Sequence, residues 1–347
     1  MAFNQQDTEC MALALKLSKL GRGSVGANPM VGCVIVHNEL IIGEGYHEEY
    51  GKEHAEVNAI NQVQNKELLK TAKLYVSLEP CSHSGKTKPC VDLILKYDIP
   101  EVIIGIKDPN PKVSGKGIEK LKKSGVQVKV GILQDLCLEI NRRFFTFHQK
   151  QRPYVILKWA QTLDGFLDKE RKDKEQKINW ISAPETQTIV HKWRSEEQSI
   201  LVGRNTIIND NPSLTVREYG GRNPIRIVID SQLQIGGSLN IYSKEAPTLV
   251  FNRLKSEKTN NIEYIKINET STKNILTELY QRGIQSVFVE GGSRTLQYFI
   301  IDNAWDEARV IVGDKNFNEG YKAPVINRIP VNSLKYGKDM IYYFKRR

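Results

Sequence analysis

The chain lacks any apolar run near the roughly 18 residues of a membrane-spanning helix, so no membrane is expected as a partner. Residues 1–7 are polar and hold no apolar signal core. Cysteine is scarce. The five cysteines are an odd count that argues against a disulfide framework and fits a reducing, cytoplasmic compartment. No G-x-G-x-x-G turn occurs, so a Rossmann nucleotide site is not supported. Lys and Arg exceed Asp and Glu by 50 to 40, for a net charge of +10. These basic residues are scattered, and no RNA-recognition or zinc-finger pattern accompanies them. That balance favours small anionic ligands over nucleic acid. What is present is ordinary for a globular protein, with 40% hydrophobic and 26% charged residues. A length of 347 residues suggests about two domains.

The hydrophobic pattern predicts α/β organisation throughout. Met11, Leu13, Ala14, Leu17 and Leu20 mark a helical face over 8–20, ended by Gly21. Apolar runs at 31–36 and 40–46 flank His37-Asn38-Glu39 and read as a hairpin. Helices are expected at 54–63, 90–97 and 117–124, and strands at 74–78, 102–106 and 126–130. A long helix over 135–149 precedes Arg152-Pro153, which sets a domain boundary between 1–150 and 151–347. Further strands are expected at 154–160, 199–203, 225–229, 248–252, 286–290 and 307–312, with helices between several of them. Such alternation implies two α/β layers with largely parallel pairing. Residues 168–177 are charged throughout except Gln176 and read as a solvated loop or a lid. Residues 332–347 carry no clear signal.

The strongest chemical signal is His54-Ala55-Glu56, then Glu79-Pro80-Cys81, then Cys90. One imidazole and two thiolates give three ligands, the number a catalytic zinc site takes from protein. Glu56, two residues after the histidine, suits proton transfer rather than ligation, the division of labour of zinc nucleobase deaminases. Eight residues (82–89) separate the cysteines, unlike the usual P-C-x-x-C. That departure leaves a second reading open, in which His83 is a fourth ligand and the site is a closed structural one.

Other segments could complete a pyrimidine site. Asn28, before Pro29, could hydrogen-bond a pyrimidine edge or simply make a turn. His47 ends a predicted strand. Asp108-Pro109-Asn110-Pro111 follows a strand's C-terminus, where ligands bind in open α/β sheets and where turns are also common. The motifs N-P-x-V-G-C-V-I-V, H-A-E, E-P-C-S-H-x-G-x-T-x-P-C and D-P-N-P-x-V-x-G-x-G-I together resemble the deaminase half of the bifunctional riboflavin-biosynthesis deaminase/reductase family, to which the eight-residue spacing is typical. The resemblance implies a cytidine-deaminase-like fold, His54, Cys81 and Cys90 on zinc, and Glu56 as proton shuttle. It also implies substrate contacts from Asn28, His47, Lys86, Asp108 and Asn110.

In the second half, Glu290-Gly291-Gly292 after an apolar strand is a turn whose backbone N–H groups can meet phosphate. Arg194 and Arg217 could fork a phosphate or lie on the surface. Lys158-Trp-Ala-Gln-Thr-Leu-Asp-Gly165, Trp193-Arg194, Leu201-Val-Gly-Arg-Asn-Thr206, Asp210-Asn-Pro-Ser-Leu-Thr-Val-Arg217 and Val289-Glu-Gly-Gly292 resemble the reductase half of the same family. That implies a dihydrofolate-reductase-like fold. Lys158, Ser182, Arg194, Asp210, Leu214, Arg217 and Glu290 would face a phosphorylated pyrimidine substrate. Thr162, Asp164, Gly203, Thr206, Gly291 and Gly292 would face NADPH. A homo-oligomer is expected. Four positions depart from the family pattern: Lys88 replaces proline, Gln198 aspartate, Thr162 serine and Trp193 leucine. Two other readings stay open, a nucleic-acid deaminase and a non-catalytic zinc-stapled module.

Overall fold

A computed structural model describes residues 3–346 except 84–87, 112 and 172–177. The chain forms two compact units, Met1–Gln151 and Arg152–Arg347. Among the described residues, no helix is long and apolar enough to cross a membrane.

The first unit is built on strands β1 (Gly32–His37), β2 (Leu40–Tyr46), β3 (Lys73–Leu78), β4 (Glu101–Ile106) and β5 (Gln127–Val130). They lie in the order β2-β1-β3-β4-β5. The expected hairpin is β1–β2, closed by Asn38 and Glu39 at φ 46° and 64°, as a two-residue primed turn demands. Strand β1 runs antiparallel to β3, whereas β3, β4 and β5 are parallel. Alternate residues of each strand point to opposite faces. Val34, Val36, Tyr75 and Ile103 meet helices α1 (Gln5–Ser18), α5 (Gln134–Ile140) and α6 (Arg142–Lys150). Cys33, Ile35, Leu74, Val76, Val102 and Ile104 meet α2 (Ala55–Gln62), α3 (Cys90–Lys96) and α4 (Lys116–Lys123). Both faces are covered, which is why the strands read as continuous apolar runs.

Two expectations fail in this unit. Leu20 is exposed, because the buried face of α1 is formed by Cys10, Met11, Ala14, Leu15 and Ser18, and Leu20 falls on the opposite side. The single helix expected over 135–149 breaks into α5 and α6 at Asn141. The buried Asn141 amide pairs with Met30 instead, accepting its N–H at 2.8 Å and donating to its carbonyl at 2.9 Å.

The second unit contains β6 (Tyr154–Thr162), β7 (Phe166–Asp168), α7 (Pro184–Ser195), β8 (Ser199–Gly203), α8 (Arg204–Asp210), β9 (Ile225–Ile229), β10 (Thr248–Asn252), β11 (Glu257–Lys258) and β12 (Ile262–Lys266). It continues with α9 (Thr272–Gln281), β13 (Ser286–Val289), α10 (Ser293–Ile301), β14 (Glu307–Gly313), β15 (Tyr321–Lys322), β16 (Asn332–Tyr336) and β17 (Asp339–Lys345). Ten described strands form one sheet, β11-β12-β10-β9-β8-β13-β6-β14-β17-β16. Its centre from β12 to β14 is parallel. Helices α9 and α10 cover one face, and α7 and α8 the other. The tail, silent in sequence, is the β16–β17 hairpin, antiparallel to β14. Its buried Asp339 accepts from Ala183 N and Thr186 Oγ1, fixing the start of α7.

Candidate active sites

His54 is the extended N-cap of α2, so Glu56 falls in that helix's first turn. Helix α2 can lie directly on β2 because Gly43 and Gly45 carry no side chain. A methyl on Gly45 would sit 2.5 Å from the Ala55 carbonyl oxygen. Cys81 follows the end of β3, and Cys90 opens α3. His54 Nδ1 lies 3.2 Å from Cys90 Sγ and 3.5 Å from Cys81 Sγ, and the three donor atoms all fall within 4.8 Å of one another. Tetrahedral zinc with bonds of about 2.0–2.3 Å places its ligands about 3.5–3.8 Å apart, so this donor set fits the ion in both chemistry and spacing. The hydrogen bond to Cys81 raises the His54 imidazole to about 9, while Cys81 is pulled down, first by its hydrogen bond from Cys90. His83 is exposed and stands outside the cluster. The described residues therefore build a three-ligand centre, not the closed four-ligand one. Lys86 lies outside the described residues.

Glu56 is buried against the trio, in hydrogen-bonding contact with Cys90, and burial pushes its carboxyl up. Asn28 Nδ2 lies 2.9 Å from His47 Nε2, and His47 Nδ1 lies 2.9 Å from the Glu53 carbonyl. Only a neutral His47 with its proton on Nδ1 satisfies both contacts. Burial, which lowers the His47 pKa, is consistent with that form. Both ring nitrogens are thus engaged within the protein, and His47 orients Asn28. Asp108 is buried at the end of β4 and accepts from Asn110 N at 2.7 Å. Burial first, then the charges of Glu79 and Cys81, push its carboxyl up to about 7, against the opposing Asn110 bond. Glu79 and Asn141 are roles the sequence did not reveal. The signal for Glu79 was an acid directly after an apolar strand; Asn141 had none.

The second site gathers at the C-terminal ends of the neighbouring strands β8, β13 and β6, the edge where open α/β sheets take ligands. Lys158 Nζ lies 3.3 Å from Glu290 Oε2. Arg194, from α7, forks the same carboxylate at 2.6 and 3.0 Å. Burial pushes Glu290 up, but the Arg194 and Lys158 charges outweigh it and hold the carboxyl at about 2. Ser182 is half-buried. Leu214 adopts φ 54° and its side chain packs into the core. Arg217 is exposed, its N–H donating to His191 Nδ1 at 3.1 Å. Asp210 pairs with Arg171 at 2.7 Å, and Arg171 also holds Asp168 at 3.0 Å. The solvated-loop expectation therefore fails for Asp168 and Arg171; residues 172–177 lie outside the described residues.

Thr162 Oγ1 donates to Asp164 at 2.5 Å, and Asp164 accepts from Asn318 N at 2.7 Å, which fixes the turn through Gly165 at φ +81°. Gly203 and Gly292 cap α8 and α10, and Gly292 N–H donates to Thr206 Oγ1 at 3.0 Å. A Cβ on Gly203 would meet Thr295 Oγ1 at 2.5 Å, and one on Gly291 would meet Thr295 Cβ at 2.7 Å. These glycines let the ends of β8 and β13 close on Thr295 in the first turn of α10, a helix N-terminus of the kind that would suit a phosphate-bearing cofactor. Gln198, the departure from aspartate, has its Oε1 accepting from Gln285 N at 2.6 Å.

Residues 4–106 match the family model for the cytidine and deoxycytidylate deaminase zinc-binding region, and residues 153–317 match that for the RibD C-terminal domain. The riboflavin biosynthesis protein RibD of Aquifex aeolicus is 39% identical, with 98% of each chain covered. RibD of Escherichia coli is 32% identical, covering 89% of this chain and 88% of the relative. The crystal structure of a diaminohydroxyphosphoribosylaminopyrimidine deaminase/5-amino-6-(5-phosphoribosylamino)uracil reductase from Thermotoga maritima superposes with a TM-score of 0.87 at 35% identity, with 98% of each chain covered. With a deaminase zinc motif in one unit and a reductase fold in the other, this chain belongs to the RibD family of bifunctional riboflavin-biosynthesis deaminase/reductases.

Proposed function

We propose that residues 1–150 hydrolytically deaminate 2,5-diamino-6-(5-phosphoribosylamino)pyrimidin-4-one and that residues 151–347 reduce the ribosyl group of the product to ribityl with NADPH. The carrying observation is the meeting of His54, Cys81 and Cys90 with buried Glu56. Zinc held by the trio supplies a Lewis acid that lets water act as a nucleophile near neutral pH. Glu56 takes a proton from the attacking water at its carboxylate and returns it to the departing ammonia. Asn28, its nitrogen engaged by His47, offers its oxygen to a ring amino group. Asp108, Asn110 and Lys86 complete the pyrimidine and phosphate contacts.

In the second unit, Lys158, Arg194 and Glu290 form a rigid ionic floor for the ribose phosphate, with Ser182, Asp210, Leu214 and Arg217 around it. The Leu214 contact would come from its backbone, since its side chain is in the core. Thr162, Asp164, Gly203, Thr206, Gly291 and Gly292 would hold NADPH, which supplies the hydride. The protein's own contribution there is to fix the two reactants in register. A cytoplasmic homo-oligomer completes the reading.

Purified protein given the diaminopyrimidinone ribosyl phosphate tests it. Ammonia should form without NADPH. Adding NADPH should then oxidise the cofactor and yield the ribitylamino product. Zinc-loaded protein that releases no ammonia would sink the deaminase half. Untouched NADPH in the presence of the deaminated product would sink the reductase half.

A further inference from the structure

We infer that Glu79 is a positioning residue of the deaminase site, a clamp that holds the Asp108–Asn110 segment in register with the loop carrying Cys81. Glu79 directly follows β3 and lies two residues before Cys81, and it is buried. Its carboxylate gathers four backbone donors. Oε2 accepts from Asp108 N at 3.1 Å and Gly115 N at 2.9 Å. Oε1 accepts from Gly117 N at 3.0 Å and Ile118 N at 3.3 Å. Asp108 and Gly115 stand at the two ends of the loop that joins β4 to α4, and Gly117 and Ile118 belong to the first turn of α4. The N–H of Glu79 donates to Ile106 O at 3.0 Å, so its backbone is fixed to the end of β4 while its side chain holds the segment that follows.

The loop can approach only because of glycine. Gly115 adopts φ +82°, and a side chain on Gly117 would collide with the Pro80 carbonyl. No other side chain satisfies this set. Gln would turn an NH2 towards two N–H donors, and Asp falls short by one methylene. The metal ligands and the Asp108 segment sit on different elements, so their separation needs a fixed link. A misplacement of about 1 Å can cost on the order of 10²-fold in rate. The inference rests on the reading of Asp108 and Asn110 as pyrimidine contacts.

The test uses full-length, zinc-loaded protein with Glu79→Gln, Asp108→Ala and the double variant. Zinc content, amide hydrogen exchange, and kcat and KM for ammonia release are measured. In Glu79→Gln, zinc should stay at the wild-type level, while exchange at Asp108, Gly115, Gly117 and Ile118 speeds up. KM should rise about tenfold or more, with a smaller fall in kcat, and the double variant should be no worse than Asp108→Ala. Unchanged exchange, zinc lost in step with activity, or effects that multiply in the double variant would each overturn the clamp. Wild-type KM in Asp108→Ala would instead remove the substrate reading, and the positioning role with it, even if exchange still reports a structural link. If Glu79→Gln does not accumulate folded, Glu79→Asp loosens the same four amides and carries the same outcomes.

Discussion

Glu56 is a buried carboxylate and Glu290 a largely buried one, each beside a short motif, and their surroundings give them opposite work. Burial raises Glu56, which suits a group that must take up and release a proton. Glu56→Gln should keep zinc and lose deamination by roughly 10²–10⁴-fold, read as metal content against ammonia release; an active, zinc-loaded variant would end its assignment as the proton shuttle. Glu290 has two cationic partners, so its folded carboxyl sits at about 2, below its ordinary 4.5. Its share of stability is complete above about 4.5 and is lost as the pH falls through about 2. Reductase turnover between pH 5 and 8 should therefore show no titration from this group. Arg194→Ala removes the forked partner and leaves the carboxylate with Lys158 alone, at a cost of about 3–5 kcal/mol. Acid and urea unfolding of the variant, both shifted towards lower stress, would report it. The residues legible in sequence were those whose type and spacing carry chemistry, such as His54, Cys81 and Cys90. Glu79, Asn141 and Arg171 were not, because acids, amides and arginines are common surface residues. Their roles exist only once distant backbone or a distant partner is brought to them.

At the level of elements, strand and helix kinds followed the apolar periodicity, and the misses have identifiable causes. The α5–α6 break was invisible because Asn141 leaves the helix to hold Met30, a contact across 111 positions of sequence. The β16–β17 hairpin was invisible because β16 is an exposed edge strand with little apolar content. Placement of α2 on β2 was also hidden, although the glycines that permit it were in view. That contact sets where His54 and Glu56 stand. Gly45→Ala should push the first turn of α2 off the strand, costing ~1–3 kcal/mol as overpacking does. Zinc affinity and ammonia release should fall together, because the displaced turn carries His54 of the zinc motif and Glu56, the proposed proton shuttle. Zinc titration of the folded variant decides it; wild-type affinity would show that α2 absorbs the methyl without moving.

For the molecule as a whole, each unit has its own sheet, its own apolar clusters and its own group of candidate site residues. The metal ligands all belong to the first unit. None of the second-unit groups proposed to bind substrate or cofactor lies on an element that carries a metal ligand. The two chemistries should therefore separate under metal removal. Chelation of the full-length protein should abolish ammonia release from the diaminopyrimidinone while NADPH oxidation continues when the deaminated intermediate is supplied directly. Re-addition of zinc should restore the first activity without altering the second. A parallel loss of both on chelation would mean that the metal centre supports the second unit as well, a coupling that the separate cores give no reason to expect.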